Sequence, residues 1–298
     1  MTLSSGDRLP DFVIIGAMKS ATTSLYRWLD EQPEVFMTHP KETRFFTDKW
    51  ALGPEWYSGL FAGADPAQLL GEASVNYMDP SRAAASAERM STLVPDARLI
   101  AVLRHPADRM RSHYRHEVQR NREERGLLQA LRDPHNPYVA HSKYYSCLLP
   151  YLERYPREQV MLVRFEDLVH PPAPAWSAVL RFLGLADRPC PEGAHNVSEK
   201  KRQRTRMMMW IIGRHRFTRD RIISLRRVSR WPTPIRRVAR LVFTRGGASY
   251  ERRLDRSRVA IPDELLTDMW DDLAQLETWL GTSLWAQQTL TPRKEATR

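Results

Sequence analysis

Apolar runs alternate with amphipathic stretches along the first two thirds of the chain. Predominantly apolar runs at residues 12–15, 97–103 and 159–165 are typical of strands that are buried on both faces of a parallel sheet. Residues 81–93 and the stretch that opens at Pro106 follow the spacing of helices. Strands that alternate with helices predict an α/β fold built on a central parallel sheet.

Four weaker patterns extend this prediction. Residues 69–74 are typical of a short strand that ends in polar residues. Residues 142–155, 176–183 and 262–280 each predict a helix with an apolar face. The last two are followed by a glycine, which is the residue preferred just beyond a helix C-terminus.

A compact loop follows the first apolar run and leads directly into a helix. A helix N-terminus offers unpaired N–H donors, and the small loop residues let the backbone approach a ligand. A cation and four hydroxyls lie in the same turn: Lys19, Ser20, Thr22, Thr23 and Ser24. We predict an anion site here, with a turn capped by its own hydroxyls as the alternative. The NTP-binding P-loop pattern fails, because no second glycine precedes Lys19.

Arg104 is the second candidate for binding an anion. It follows the run at residues 97–103, at the carboxyl end of a strand, where open α/β sheets bind their ligands. A guanidinium suits bidentate phosphate binding, and a structural ion pair is the alternative. Ser112, on the helix that follows, is expected to meet the same ligand as Arg104.

Glu42 is the candidate general base. It lies between Lys41 and Arg44 and is followed by two phenylalanines. Contact with an apolar wall raises the pKa of a carboxylate, while neighbouring cations lower and orient it. The alternative interpretation is a surface glutamate in a charged loop.

The composition is that of a globular protein, with 42% hydrophobic and 27% charged residues in 298. Cys147 and Cys190 belong to no C-x-x-C or Cys/His cluster, and the pattern His113, His116, Glu117 is not the H-E-x-x-H zinc motif. We therefore predict no metal site. The N-terminus lacks the features of a signal peptide, and no uninterrupted apolar stretch approaches a membrane span, so the expected location is cytoplasmic.

The net charge of +11 is concentrated in residues 200–258, which hold twenty Lys and Arg against three acidic residues. Apolar residues alternate with these arginines, which predicts a basic helical insertion or lid within a single domain, residues 1–298. Basic amphipathic helices bind anionic membranes, polyanionic substrates or nucleic acids, or present a solvated face. We predict peripheral contact with the inner face of the membrane, and no specific nucleic acid.

Taken together, these motifs resemble the sulfotransferases that use 3′-phosphoadenosine-5′-phosphosulfate (PAPS), in particular their bacterial and heparan-sulfate-type branch. Residues 19–24 resemble the 5′-phosphosulfate loop of that family. Residues 103–106, with Arg109 and Ser112, resemble its 3′-phosphate motif. Residues 41–46 are similar to its K-E-x-x-F-F stretch. Further similarity is found at residues 71–74, 144, 165–168, 182–185 and 276–285.

The resemblance implies a P-loop-like three-layer fold and the transfer of a sulfuryl group, without a metal, to a hydroxyl or amine. The acceptor would be a glycan, a glycolipid or a small molecule, and 3′-phosphoadenosine-5′-phosphate (PAP) would be the product of the donor. Glu42 would accept the proton of the acceptor, and Lys19 would neutralise the departing phosphate. The residues implied in binding PAPS are Lys19, Ser20, Ala21, Thr22, Thr23, Ser24, Arg104, Ser112 and Tyr144.

Two positions depart from the family pattern. Ala21 replaces a glycine, and alanine fits there only with a negative φ, so we predict that conformation. Ala73 replaces a lysine that is frequent in heparan-type relatives, which leaves Lys41 as a substitute cation. His39 is the reserve candidate for the base. The rival functions are a nucleotide kinase or NTPase, and a non-enzymatic protein that binds polyanions or membranes.

Overall fold

The computed structural model describes residues 8–120, 122–170, 173–191, 203–204, 244–245 and 259–285. Five strands form one parallel sheet in the order β2-β3-β1-β4-β5. They are β1 (Phe12–Gly16), β2 (Val35–Met37), β3 (Leu69–Ala73), β4 (Arg98–Leu103) and β5 (Val160–Arg164). The predicted α/β fold with a central parallel sheet is confirmed.

Helices connect these strands in the part of the chain that the structure describes. They are α1 (Thr22–Asp30), α2 (Pro54–Ser58), α3 (Ala83–Leu93), α4 (Pro106–Gln119), α5 (Leu127–Leu131), α6 (Pro137–Ala140), α7 (Tyr144–Leu152), α8 (Phe165–Val169), α9 (Pro174–Leu183) and α10 (Thr267–Leu280). Gly184 and Gly281 follow α9 and α10 in the left-handed conformation, with φ of 76° and 70°. The predicted glycine caps are therefore confirmed. None of these helices combines the length and apolar character needed to cross a bilayer.

Side chains of the sheet enter two hydrophobic cores. Along β1, Val13 and Ile15 enter one core, which α3, α7 and α10 complete. Phe12 and Ile14 enter the other core, which α1 and α9 complete. All four side chains are fully buried, because successive residues of a strand point to opposite faces. Helices therefore cover both faces of the sheet, in the predicted three-layer arrangement.

The strand order brings three loops to one edge of the sheet. β1 lies between β3 and β4, and Ile14 is in register with Ala73 on one side and Ile100 on the other. Beyond the strand, the Ala17 N–H donates to the Val102 carbonyl at 2.8 Å. On the other side, the Ser74 N–H donates to the Ile14 carbonyl at 3.1 Å. The segments that follow β1, β3 and β4 are therefore neighbours.

The chain divides into two compact units. The first, which contains the sheet, comprises Met1–Met110, Pro137–Asn196 and Pro262–Arg298. The second comprises Arg111–Asn136 and Val197–Ile261. In the second unit, β6 (Gln203–Arg204) pairs antiparallel with β7 (Thr244–Arg245). Apart from these two strands, the predicted helical insertion at residues 200–258 lies outside the described residues, so the insertion and the single domain stay predictions.

Candidate functional site

The loop between β1 and α1 turns through two residues in the left-handed conformation. Lys19 has a φ of 74° and Ala21 a φ of 62°. The predicted negative φ at Ala21 is therefore wrong: the alanine adopts the conformation that glycine favours, at a cost of about 1 kcal/mol. This turn starts α1, because the Ala21 carbonyl accepts the N–H groups of Ser24 at 2.9 Å and Leu25 at 3.1 Å.

The hydroxyls of this loop lie around the N-terminus of α1. Ser20, Thr22 and Ser24 are buried, whereas Thr23 and Lys19 are half-buried. Ser20 Oγ is among the buried polar atoms that meet no hydrogen-bond partner in the described residues. Since such an atom loses its hydration without compensation, an external ligand is a natural partner for it.

Arg104 comes directly after β4. Its guanidinium lies over the ring of Phe165, 4.5 Å from the ring centroid. Its Nε is buried and, like Ser20 Oγ, has no hydrogen-bond partner among the described residues. The alternative of a structural ion pair is not observed in that part of the chain. Arg104 therefore retains hydrogen-bonding capacity for an anion.

Tyr144 connects these two anion-binding candidates. Its hydroxyl donates to the backbone carbonyl of Arg104 at 2.8 Å, and its side chain is fully buried. Burial raises the pKa of the phenol, and Ser20 is near enough to act in the opposite direction. The geometry between Ser20 Oγ and Tyr144 is nevertheless not that of a full hydrogen bond. The structure thus brings together Lys19, Ser20, Arg104 and Tyr144.

Arg109 and Ser112 occupy different places on α4. Arg109 is fully buried, and it donates from Nε to Ser142 Oγ at 2.7 Å and from a terminal nitrogen to the Tyr138 carbonyl at 2.5 Å. Burial lowers its pKa to about 10. Arg109 therefore joins α4 to α6 and to the short segment between α6 and α7. Ser112 belongs to the second unit, and its approach to the same ligand as Arg104 stays a prediction.

Glu42 lies at the neighbouring part of the edge. Its Oε1 pairs with Lys41 Nζ at 2.7 Å, and its Oε2 accepts the Val75 N–H at 3.1 Å. The side chain is 34% exposed, so solvent reaches it. The reserve candidate, His39, is 68% exposed and is turned towards Asp30, at 3.4 Å. His39 Nδ1 also lies 3.0 Å from the Tyr26 hydroxyl, so each candidate has two polar contacts.

A second carboxylate, that of Glu72, was not expected from the sequence. It is fully buried, and four hydroxyl groups surround it: Thr43, Tyr57, Ser74 and Tyr77. Burial raises its pKa, and these hydrogen bonds act in the opposite direction. The phenylalanines that follow Glu42 in the sequence adjoin this network, since the ring centroids of Phe45 and Tyr57 are 4.1 Å apart. The available signal was a charged residue within a short buried strand.

The C-terminal segment lies next to Arg104. Trp285 donates from Nε1 to Glu166 Oε2 at 3.1 Å, and Glu166 Oε1 accepts the N–H of His105 at 3.0 Å. The ring centroids of Trp285 and His105 are 5.9 Å apart. Burial lowers the pKa of His105, which favours its neutral form. An apolar, aromatic boundary therefore borders the cation of Arg104.

The donor set of the site suits an anion. It consists of an ammonium group, a guanidinium, hydroxyls and the N–H groups at the start of α1. Within the described ranges, no group of three or more His, Cys, Asp and Glu side chains has the arrangement of a metal site. Two of the six buried side-chain atoms that lack a partner in the described residues, Ser20 Oγ and Arg104 Nε, fit a ligand that carries negative charge at two places.

Comparison with known proteins assigns a family to residues 9–208, which match the model described as "Sulfotransferase domain". The human bifunctional heparan sulfate N-deacetylase/N-sulfotransferase 3 is 30% identical over 202 residues, which are 60% of this chain and 23% of that protein. The membrane-associated sulfotransferase kil1 of Dictyostelium discoideum is 35% identical over 114 residues, 37% of this chain and 24% of that protein. The chain thus spans about a quarter of the length of these curated relatives.

A solved structure shares the fold. The sulfotransferase from Alicyclobacillus acidocaldarius superimposes with a TM-score of 0.62 over 93% of this chain and 98% of its own. The sequence identity is 23%. The similarity therefore supports the predicted P-loop-like architecture, which is confirmed.

Proposed function

Because the chain belongs to the sulfotransferase domain family, we propose that it transfers a sulfuryl group from PAPS to a hydroxyl or amine of an acceptor. One observation carries this proposal. Ser20 Oγ and Arg104 Nε are both buried without a partner in the described residues, and both lie beside Tyr144. A ligand with two anionic groups would compensate both atoms at once.

The residues of the β1–α1 loop would act where negative charge develops. PAPS supplies the activated sulfuryl group and carries phosphate on both the 5′ and 3′ positions. Lys19 and the N–H groups at the start of α1 would neutralise the charge of the departing 5′-phosphate. The hydroxyls of Ser20, Thr22, Thr23 and Ser24 would donate to the same group. This follows the logic of phosphoryl transfer, in which positioning and charge stabilisation dominate.

The end of β4 would hold the other end of the donor. Arg104 would bind the 3′-phosphate with its guanidinium, and Ser112 would add a hydroxyl donor. Tyr144 fixes the backbone of Arg104 through its carbonyl and would lie beside the adenosine. A guanidinium that is already stacked on Phe165 loses little further side-chain entropy on binding.

Glu42 would accept the proton of the acceptor as it attacks sulfur. Its carboxylate has the solvent access that an incoming acceptor requires, and the Val75 N–H fixes one of its oxygens. Lys41, only 14% exposed, would orient the other oxygen of Glu42 through their contact at 2.7 Å. It would also supply a cation near Ala73, where related enzymes often carry a lysine.

For the acceptor, we propose a chemical class and not an individual molecule. We propose a glycan, a glycolipid or a small molecule that presents a hydroxyl or amine. A relative that acts on heparan sulfate makes an amine-bearing glycan the first acceptor to test. Contact with an anionic membrane through residues 200–258, like the cytoplasmic location, stays a prediction, because that segment lies outside the described residues apart from β6 and β7.

Calorimetric titration tests the donor site directly. We expect PAP to bind with micromolar affinity and ATP with Mg²⁺ to bind far more weakly. The reverse preference would favour a nucleotide kinase or NTPase. Binding of neither nucleotide would favour the non-enzymatic alternative, a protein that binds polyanions or membranes. Transfer of label from [³⁵S]PAPS to N-deacetylated heparosan, a glycolipid and small alcohols and amines then tests the reaction.

A further inference from the structure

Glu72 is the centre of a buried hydrogen-bond network. Its Oε1 accepts the hydroxyls of Thr43 at 2.6 Å, Ser74 at 2.6 Å and Tyr77 at 2.8 Å. Its Oε2 accepts the hydroxyl of Tyr57 at 2.5 Å and, at 3.1 Å, that of Tyr77, which is shared between the two oxygens. An ionised carboxylate offers about four lone-pair positions, so four donors match its accepting capacity. The partners are hydroxyls, each of which still has lone pairs with which to accept a hydrogen bond.

Three of these hydroxyls hold consecutive backbone N–H groups. Ser74 Oγ accepts the N–H of Arg44 at 3.0 Å. Thr43 Oγ1 accepts the N–H of Phe45 at 3.2 Å, and the Tyr77 hydroxyl accepts that of Phe46 at 3.4 Å. Because each hydroxyl proton points to Glu72, each oxygen presents a lone pair to the backbone. The buried carboxyl group thus orients three bonds that hold residues 44–46.

This network encloses both ends of the hydrogen bond that fixes Glu42. Glu42 precedes Thr43 in the chain, and its donor, the Val75 N–H, follows Ser74. Thr43 and Ser74 both donate to the same oxygen of Glu72. The turn that begins after Thr43 is strained, since Arg44 has a φ of 57°. Such a conformation persists when its surroundings hold it in place.

We propose that Glu72 is a positioning residue for the reaction: it holds the turn that aims Glu42 at the acceptor. This inference rests on the proposed sulfuryl transfer. Glu72 itself is fully buried and touches neither donor nor acceptor. Its effect reaches Glu42 through Thr43, Ser74 and the backbone bond to Val75.

Ser74→Ala tests the network while leaving the side chain of Glu72 in place. The Arg44 N–H loses its partner, so we expect kcat for transfer from PAPS to fall about tenfold. The calorimetric affinity for PAP should not change. Ser86→Ala is the matched control: Ser86 is also fully buried, and its hydroxyl donates to the Phe46 carbonyl at 3.5 Å and not to Glu72. Equal kcat values in the two variants would overturn the proposal.

Glu72→Gln changes the centre of the network itself. The amide nitrogen meets hydroxyls that already donate, so at least one of them must turn away from the backbone. We expect a loss of kcat at least as large as that of Ser74→Ala, again with PAP affinity retained. If Glu72→Gln fails to fold, Ser74→Ala still decides the question. A Glu72→Gln variant that folds and keeps the wild-type kcat would contradict the proposal.

A double-mutant cycle separates positioning from general stability. If Ser74 acts through Glu42, Ser74→Ala should not lower the residual rate of a Glu42→Gln protein any further. The same tenfold loss in both backgrounds would mean that Ser74 supports the fold in general. That outcome would overturn the role assigned to Glu72.

Amide hydrogen exchange provides a readout that requires no turnover. We expect Ser74→Ala to accelerate exchange in peptides that cover residues 44–46, and not in those that cover residues 16–24. Unchanged exchange at residues 44–46 would overturn the positioning role. Absence of transfer by the wild-type protein would instead count against the proposed function, while the exchange result would still decide whether this network holds the turn.

Discussion

Two parts of the same sheet edge differ in whether their buried polar groups have hydrogen-bond partners. At the ends of β1 and β4, Ser20 Oγ and Arg104 Nε have no partner in the described residues. At the end of β3, the carboxylate of Glu72 has a hydroxyl donor for each of its accepting positions. The two groups proposed to bind the donor thus lack a hydrogen-bond partner in the described residues, whereas the group proposed to position Glu42 has its partners within the protein.

The largest expected effect concerns the proton acceptor beside the compensated network. Glu42→Gln keeps the size of the side chain and the ability to accept the Val75 N–H, but removes its basicity. We expect transfer to fall by about 10²- to 10⁴-fold while PAP binding is retained. Calorimetry and the [³⁵S]PAPS assay on the same preparation measure both. Unchanged turnover would assign the proton to another residue, first of all to His39.

The next largest effect concerns the β1–α1 loop, where Ser20 Oγ has no hydrogen-bond partner in the described residues. Lys19→Ala removes the cation at the departing phosphate, and we expect kcat to fall by about 10²- to 10³-fold. Lys49→Ala is the control, because Lys49 carries the same charge over the ring of Trp56, at 4.6 Å, away from this loop. Equal rates for the two variants would remove Lys19 from the mechanism.

Arg104→Ala is a test of binding and not of turnover. The guanidinium is proposed to bind the 3′-phosphate, so PAP should bind about 10- to 100-fold more weakly, as expected for the loss of charged hydrogen bonds. Adenosine 5′-monophosphate lacks that phosphate, and its affinity should change little. Titration of both nucleotides measures the difference. An equal loss for both would contradict a role of Arg104 at the 3′-phosphate.

The smallest effect is on stability. Ala21→Gly relieves the left-handed strain of the β1–α1 loop, and we expect the free energy of unfolding to rise by about 1 kcal/mol, or roughly 2 °C in Tm. Ala84→Gly, at an exposed position within α3, is the control with the opposite sign, because glycine weakens a helix. Thermal denaturation compares the two. If Ala21→Gly instead lowers the free energy of unfolding, the Cβ of Ala21 makes a contact that stabilises the fold by more than the left-handed conformation costs.

The candidate site was predictable where its residues are close in sequence. Lys19 and the hydroxyls that follow it belong to one turn, so the apolar run, the small residues and the helix predict them together. Arg104 was found because the end of a buried strand is visible in the hydropathy pattern. β2 received no strand prediction, because its three residues are too few for a period to appear.

Properties that depend on distant contacts were not predictable. Thr43 and Glu72 are 29 residues apart, and Thr43 lies in the segment that follows β2, which pairs with β3. The same holds for Arg109, which resembles a phosphate ligand in the sequence but is buried against Ser142. The sign of φ at Ala21 was predicted from residue preference alone, and the demands of the loop outweighed that preference.

The sequence by itself determined the layered α/β fold, the family and the residues at the strand ends, because these depend on apolar periodicity and on motifs within a few residues. The tertiary structure decided which polar groups are compensated. Burial and hydrogen bonding depend on which segments meet. At the end of β4, which pairs with β1, Arg104 Nε has no hydrogen-bond partner in the described residues. At the end of β3, beside the 43–46 turn, Glu72 accepts hydrogen bonds from four hydroxyls. Neighbours of this kind are set by packing in space, which the local pattern of a chain does not encode.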